Sequence, residues 1–196
     1  MKYYIVALFD EEAYQVISPI QKNISRKFRT NRNSPQPFIP LISIENPDLD
    51  KLYPLVDKLI APYKTFRVDA NDTVYPLDQT KSINLRLDNK GYIKRIARNL
   101  FDTLSLHGFN VKCFEDNFIL LGNLPYVPKD NKKQTIKLNY PDLYDKDNFL
   151  KLKIKNIEIW KLPAAKKNIP IKSYELKSFW FFLIAWVIIH AIFYLS

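Results

Sequence analysis

The feature that most constrains this chain is a long apolar run near its C-terminal end. From Phe179 to Leu195 it reads FWFFLIAWVIIHAIFYL, and only His190 interrupts it. With the serine on each side, a helix of this segment measures about 28 Å at ~1.5 Å per residue, close to the ~30 Å hydrocarbon core of a bilayer. A core helix of this composition would be apolar on every face, which suits a small domain poorly. The run therefore predicts a single transmembrane helix.

The charges around this run predict its orientation. No charged residue follows it, whereas four lysines precede it: Lys166, Lys167, Lys172 and Lys177. Cytoplasmic flanks of membrane helices are enriched in Lys and Arg, so the preceding domain is expected in the cytoplasm. No comparable apolar run lies near the N-terminus, so no signal peptide is expected. The chain is predicted to comprise a domain over residues 1–176 and a C-terminal transmembrane anchor over residues 177–196.

The rest of the chain has the composition of a basic globular domain. Hydrophobic residues make up 47% of the chain and charged residues 26%, which is enough apolar material for a core. The net charge is +10. Such a charge suits nucleic acid, a nucleotide or an anionic membrane surface as a partner, although clusters of lysines also occur on ordinary solvated faces.

Residue counts exclude several kinds of site. The chain has 3 glycines and contains neither a P-loop nor a dinucleotide-binding fingerprint. Cys113 is its only cysteine, so it can form neither an internal disulfide nor a cysteine-based zinc site, and we expect it to be a small buried hydrophobe. No metal-ligand spacing is present, so neither a metal ion nor a cofactor is expected.

The hydrophobic pattern predicts an α+β domain. Asp10 is expected to cap a first helix and Asn46 a second, and a third is expected from Gly91 to His107. The predicted strands cover residues 2–9, 37–45, 65–68, 82–87, 111–114, 118–121 and 153–162.

Two of the predicted strands share a short sequence repeat. Phe38-Ile39-Pro40-Leu41 and Phe118-Ile119-Leu120-Leu121 both read Phe-Ile-x-Leu. Since residues two apart in a strand share a face, Phe38 and Pro40 are expected to point the same way, and so are Phe118 and Leu120.

At these positions the chain resembles the 2H phosphoesterase superfamily, the 2′-5′ RNA ligase-like (LigT-like) proteins. The order of elements matches over about residues 2–176. The family carries the motifs Pro-His-x-Thr-Leu and Pro-His-x-Thr-Leu-Gly, where this chain has PFIPL at 37–41 and NFILLG at 117–122. The flanking residues of both motifs are partly kept, but each His is replaced by Phe and the two Thr by Pro and Leu.

The resemblance implies an α+β fold, and the residues at the motif positions exclude the family's two-histidine mechanism. The fold it implies is α+β, with two similar lobes of antiparallel-type sheet flanked by helices. In the family, the two His act as general base and general acid on a cyclic phosphate or a 2′-5′ linkage, which Phe cannot do. The two histidines that this chain does contain do not replace them, because His190 lies in the apolar run and His107 at a predicted helix end. No catalytic residue is therefore expected.

A groove between the two motif strands could still bind a ligand. Phe38 and Phe118 could stack on a base, Arg67 and Arg86 could contact phosphate, and Pro40 and Leu120 would line the site. The alternative is that the two Phe rings fill the groove as core, which we favour because both hydroxyl positions are also lost.

Three functions follow from these observations. The first is a membrane-anchored, catalytically inactive 2H phosphoesterase-like protein with a binding or scaffold role, RNA or a nucleotide being the ligand the fold suggests. The second is an active cyclic phosphodiesterase or RNA phosphoesterase that uses other residues. The third is a membrane interaction protein with no nucleotide role.

Overall fold

The computed structural model describes residues 1–31, 34–78, 80–88, 91–114, 116–125, 135–139, 149–162 and 169–178. Its three helices are α1 (Glu11–Phe28), α2 (Leu49–Ile60) and α3 (Tyr92–Leu106). Its strands are β1 (Lys2–Phe9), β2 (Ile39–Glu45), β3 (Phe66–Leu77), β4 (Ser82–Leu87), β5 (Asn110–Cys113), β6 (Phe118–Asn123), β7 (Ile136–Lys137), β8 (Leu150–Leu162) and β9 (Ile169–Glu175).

The strands form one antiparallel sheet in the order β5-β2-β1-β8-β3-β4-β6, with β7 beside β3 and β9 beside β8. Buried residues of all three helices belong to a single hydrophobic core with one face of this sheet. The predicted combination of an antiparallel sheet and flanking helices is therefore confirmed. The two predicted lobes are halves of a continuous sheet, because β8 pairs with β1 of the first half and with β3 of the second.

Local signals define the helix ends. The Asp10 carboxylate accepts a hydrogen bond from the Ala13 backbone N–H at 2.9 Å, so Asp10 caps α1 as predicted. The second cap is Asp48 and not Asn46. Asn46 has a φ of 46° and belongs to the turn that leaves β2, a conformation that Asn tolerates better than most residues.

Several strands differ from their predicted bounds. β3 and β8 are longer than expected, and β9 was missed altogether, because the sequence from Ile169 to Glu175 has a weak alternating pattern and is mostly exposed. Pairing with β8 supplies its backbone hydrogen bonds, which no local pattern reveals. Cys113 also differs from expectation: it is exposed, because it ends a short strand at the edge of the sheet whose residues are mostly exposed.

Within the described residues, none of the helices combines the length and the apolar character needed to cross a bilayer. The predicted membrane helix from Phe179 to Leu195 lies outside the described residues.

Candidate functional site

The Phe-Ile-x-Leu repeat is also a repeat of backbone geometry. The register between β1 and β2 skips Leu41, which has no partner on β1. The register between β4 and β6 skips Leu121 in the same way. Both irregularities are β-bulges, in which one strand carries an extra residue. The two motif strands thus bend at the same place in the repeat.

The motif side chains alternate between the two faces of the sheet as predicted. Ile39 and Ile119 join the core beneath the helices. Phe38, Phe118 and Leu120 lie on the opposite face, in a second cluster that we call the groove cluster. Its buried members are Tyr4, Val6, Leu8, Phe38, Phe118, Leu120 and Trp160. Pro40 is also buried, and its partner on β1 is Val6 of this cluster.

The two Phe rings of the repeat are buried. Phe38 and Phe118 are each 1% exposed, which leaves neither ring a free face on which a base could stack. The Phe38 ring packs on Trp160 with ring centroids 4.7 Å apart. Phe118 makes an edge-to-face contact with Phe114 at 5.7 Å, and Phe114 makes another with Tyr4. Aromatic residues therefore fill the space on this face, as the core interpretation requires.

The backbones of the two motif strands also meet. The Leu120 N–H donates to the Phe38 carbonyl at 2.8 Å, and the two residues form an isolated antiparallel bridge. A hydrogen bond of this length leaves no room for a ligand atom between the strands at this point.

Polar side chains on this face bond to one another. Ser82 and Asn84 on β4 are fully buried, and the Ser82 hydroxyl donates to the Asn84 side-chain carbonyl at 2.9 Å. Thr80 is hydrogen-bonded to Ser82 in turn. The Trp160 indole N–H donates to the Glu158 carboxylate at 2.7 Å. Burial raises the pKa of the Tyr4 phenol, which stays neutral near physiological pH.

Among the described residues, no histidine belongs to the groove cluster. His107 is the C-cap of α3 and is exposed, and His190 lies outside the described residues. In the described part of the chain, His, Cys, Asp and Glu side chains form no group of three or more that could hold a metal ion. The titratable groups named on this face are the Glu158 carboxylate and the Tyr4 phenol, and the described His107 is not among them.

The two candidate arginines occupy different places. Arg86 is opposite Phe118 in the register of β4 and β6, and its guanidinium lies 5.4 Å from the centre of the Tyr75 ring. It borders a cavity of about 510 Å³, whose other lining residues are Asn71, Leu87, Asp88, Asp116, Asn117 and Phe149. Arg67 is opposite Lys153 on β8 and does not line this cavity. The structure thus brings Arg86 beside the second motif, and Arg67 lies elsewhere on the sheet.

Sequence reasoning missed the residues that fill the groove, notably Tyr4, Phe114 and Trp160. A signal for Tyr4 was present, since the segment YYIVALF of β1 is apolar at every position and every one of these residues is buried. A strand that is exposed on one face alternates in polarity, whereas a strand covered on both faces does not. An unbroken apolar β1 therefore indicates that the face opposite the helices is closed.

Gly122 ends the second motif and is retained for a steric reason. A Cβ atom there would lie 2.9 Å from the Thr30 methyl carbon and 3.1 Å from the Thr30 Cβ. The loop after α1 is held against β6 at this point, because the Asn31 N–H donates to the Asn123 carbonyl at 2.8 Å. The glycine therefore permits close packing of this loop on the strand.

Gly122→Ala is expected to lower the free energy of unfolding by about 1 to 3 kcal/mol, because the added methyl overpacks against a branched side chain. Denaturant unfolding measures the change. In a double-mutant cycle, Thr30→Ala should remove part of this cost. Equal stability of Gly122→Ala and wild type would show that the loop moves aside freely.

The described fold is similar to those of several solved structures. No family model matches the sequence, and no curated protein matches it. TT0787 of Thermus thermophilus superposes with a TM-score of 0.60 at 13% identity, covering 91% of this chain and 100% of that one. Apo LigT of E. coli gives a TM-score of 0.58 at 12% identity over 90% of this chain and 98% of LigT. A structure described as a phosphoesterase gives 0.57 at 11% identity over 90% and 99%. The chain therefore has the 2H phosphoesterase (LigT-like) fold.

Proposed function

We propose that this chain is a catalytically inactive 2H phosphoesterase-like domain that is anchored in a membrane and acts by binding. The observation that carries the loss of catalysis is the pair Phe38 and Phe118, each 1% exposed where the family has its histidines. These rings neither transfer protons nor leave access to a phosphate.

The arrangement of the groove also argues against an active enzyme that uses substitute residues. Two buried polar residues of this face, Ser82 and Asn84, are hydrogen-bonded to each other and belong to a strand that is covered on this side. A substitute general base would need hydrogen-bond reach to a bound substrate, which the closed backbone bridge between Phe38 and Leu120 opposes.

The cavity beside Arg86 is the part of this region where a ligand could still bind. It has a volume of about 510 Å³ and is lined by a guanidinium, two side-chain amides, an aromatic ring and the carboxylates of Asp88 and Asp116. The guanidinium suits the phosphate of a nucleotide, the amides and carboxylates suit the base edge, and the ring suits the base face. E. coli LigT has been solved with 3′-AMP, with ATP and with NADP+, and this likeness in fold supports a nucleotide or RNA as the ligand class. A protein scaffold role is the alternative.

The membrane anchor is proposed from the sequence of residues 179–195. Its eleven Leu, Ile, Phe and Val residues favour insertion by about 3 to 7 kcal/mol at roughly 0.3 to 0.6 kcal/mol each. The lysines before the run place the domain on the cytoplasmic side in this proposal.

The purified protein is expected to hydrolyse neither 2′,3′-cyclic nucleotides nor 2′-5′-linked oligonucleotides, because no imidazole occupies either motif. The assay should include a 2H phosphoesterase with both His-x-Thr motifs intact as positive control. Turnover at a comparable rate that is abolished by Arg86→Ala would mean that the chain is an enzyme with another catalytic group.

A further inference from the structure

The last residues before the apolar run are fixed to the body of the domain. Leu176 is 3% exposed and belongs to the main core, and its N–H donates to the Lys155 carbonyl at 2.9 Å. The Lys177 carbonyl accepts a hydrogen bond from the Thr65 N–H at 3.0 Å, and Lys177 forms a parallel bridge with Lys64. The chain therefore leaves the domain from a defined point on its surface.

Almost no linker separates this point from the apolar run. Ser178 alone lies between Lys177 and Phe179, and two residues of extended chain span at most about 7 Å. The headgroup layer of each leaflet is about 5 to 7 Å thick, half of the difference between ~30 Å of hydrocarbon and ~40–45 Å of whole bilayer. If Phe179 begins the membrane span, the surface around Lys177 must lie at the headgroups.

An exposed aromatic side chain lies on this surface. Tyr92, the first residue of α3, is 54% exposed. Its ring centroid lies 6.2 Å from that of Tyr63 and 5.7 Å from that of Phe66, the residues that flank the Lys64–Thr65 segment. Tyrosine is enriched at membrane–water interfaces, where its ring lies at the apolar boundary and its hydroxyl group remains hydrated.

The charges at the start of α3 are opposite to those that stabilise a helix. Its first turn contains Lys94 and Arg95 and no acidic residue, and Gly91 provides no side-chain cap. The helix dipole favours acidic residues at this end, so the two cations cost helix stability locally. Both side chains are exposed, as is Lys177. A role outside the helix would account for their placement.

We infer that Lys64, Tyr92, Lys94, Arg95 and Lys177 form a surface, which we call the tether surface, that rests on anionic lipid headgroups. The inference depends on the proposed membrane anchor and adds to it which face of the domain meets the bilayer. Cations near such a surface are attracted to phosphatidylserine or phosphatidylglycerol, and the attraction falls off within about a Debye length. The short connection at Ser178 keeps the tether surface within that distance.

The test measures the depth of two spin labels in the full-length protein reconstituted into vesicles. Both are placed in a Cys113→Ser background, one by Ala61→Cys and the other by Leu106→Cys. Ala61 is exposed and lies on the same short connection as Lys64. Leu106 is 87% exposed at the far end of α3, about 21 Å from Tyr92 at ~1.5 Å per residue. The vesicles contain phosphatidylglycerol. Oxygen, which partitions into lipid, should relax the label at residue 61 more strongly than the label at residue 106. A water-soluble nickel complex should relax the label at residue 106 more strongly than the label at residue 61.

A charge-reversal variant separates docking from folding. Lys94→Glu with Arg95→Glu should shift the label at residue 61 towards water, most strongly in phosphatidylglycerol vesicles. The same changes place acidic residues where the helix dipole favours them, so they should not unfold α3. Equal water exposure of both labels in protein that resists carbonate extraction would refute the tether surface and leave the anchor standing. Extraction of the wild-type protein by carbonate would instead refute the anchor.

Discussion

Phe38→Ala and Phe118→Ala are each expected to lower the free energy of unfolding by about 3 to 5 kcal/mol, the range for removing a fully buried aromatic ring. Both rings are 1% exposed and are packed against other aromatic side chains, Trp160 in one case and Phe114 in the other. Their loss would leave cavities in a face whose backbone is held by the bridge between the motif strands. Denaturant unfolding followed by circular dichroism measures the change.

The control for these variants is Leu106→Ala. Leu106 is 87% exposed, so its truncation should change stability by no more than about 0.5 kcal/mol. If the rings were stacking platforms, the outcome would be reversed: unchanged unfolding midpoints and weakened nucleotide binding in both Phe variants. That result would mean that the groove opens in solution and that the residues predicted to bind ligand do so.

Replacing Ile184 and Ile188 by Arg in the full-length chain is expected to move the protein from the membrane fraction to the soluble fraction. Each Arg near the centre of a membrane helix costs about 2.5 to 3.5 kcal/mol, so two cost about 5 to 7 kcal/mol. This cost offsets the whole favourable insertion free energy of about 3 to 7 kcal/mol estimated for the run. Fractionation followed by alkaline carbonate washing measures the distribution of each protein.

The matched control is Ile184→Leu with Ile188→Leu, which preserves the apolar character and should leave the protein resistant to carbonate. A truncation should end after Ser178 and no earlier, because Leu176 is buried in the core and Lys177 pairs with Lys64. Carbonate-extractable wild-type protein would show that the apolar run does not span a bilayer.

Much of the fold could be predicted because local signals and tertiary packing agree. Asp10 caps α1 through its own side chain, and the alternation of β6 places Phe118 and Leu120 on one face whatever the strand pairs with. The strand β9 could not be found this way, because it is held by pairing with β8 and by few buried side chains. The second helix cap was misplaced by two residues, since Asn46 and Asp48 are both good caps and the turn after β2 decides between them.

The sequence by itself determined that neither Phe-Ile-x-Leu segment contains a histidine, because this depends only on residue identity. It also determined the predicted membrane run, since insertion depends on the length and apolarity of one contiguous segment. Only the tertiary structure decided what Phe38 and Phe118 do. An aromatic ring on a strand face can stack on a ligand if it is exposed, or fill the core if other side chains bury it. Here the rings that pack on the two Phe side chains are Trp160 on β8 and Phe114 just after β5. These contacts join parts of the chain that are distant in sequence. They are stabilised by the burial of both surfaces, and a local sequence pattern does not show which surfaces will meet.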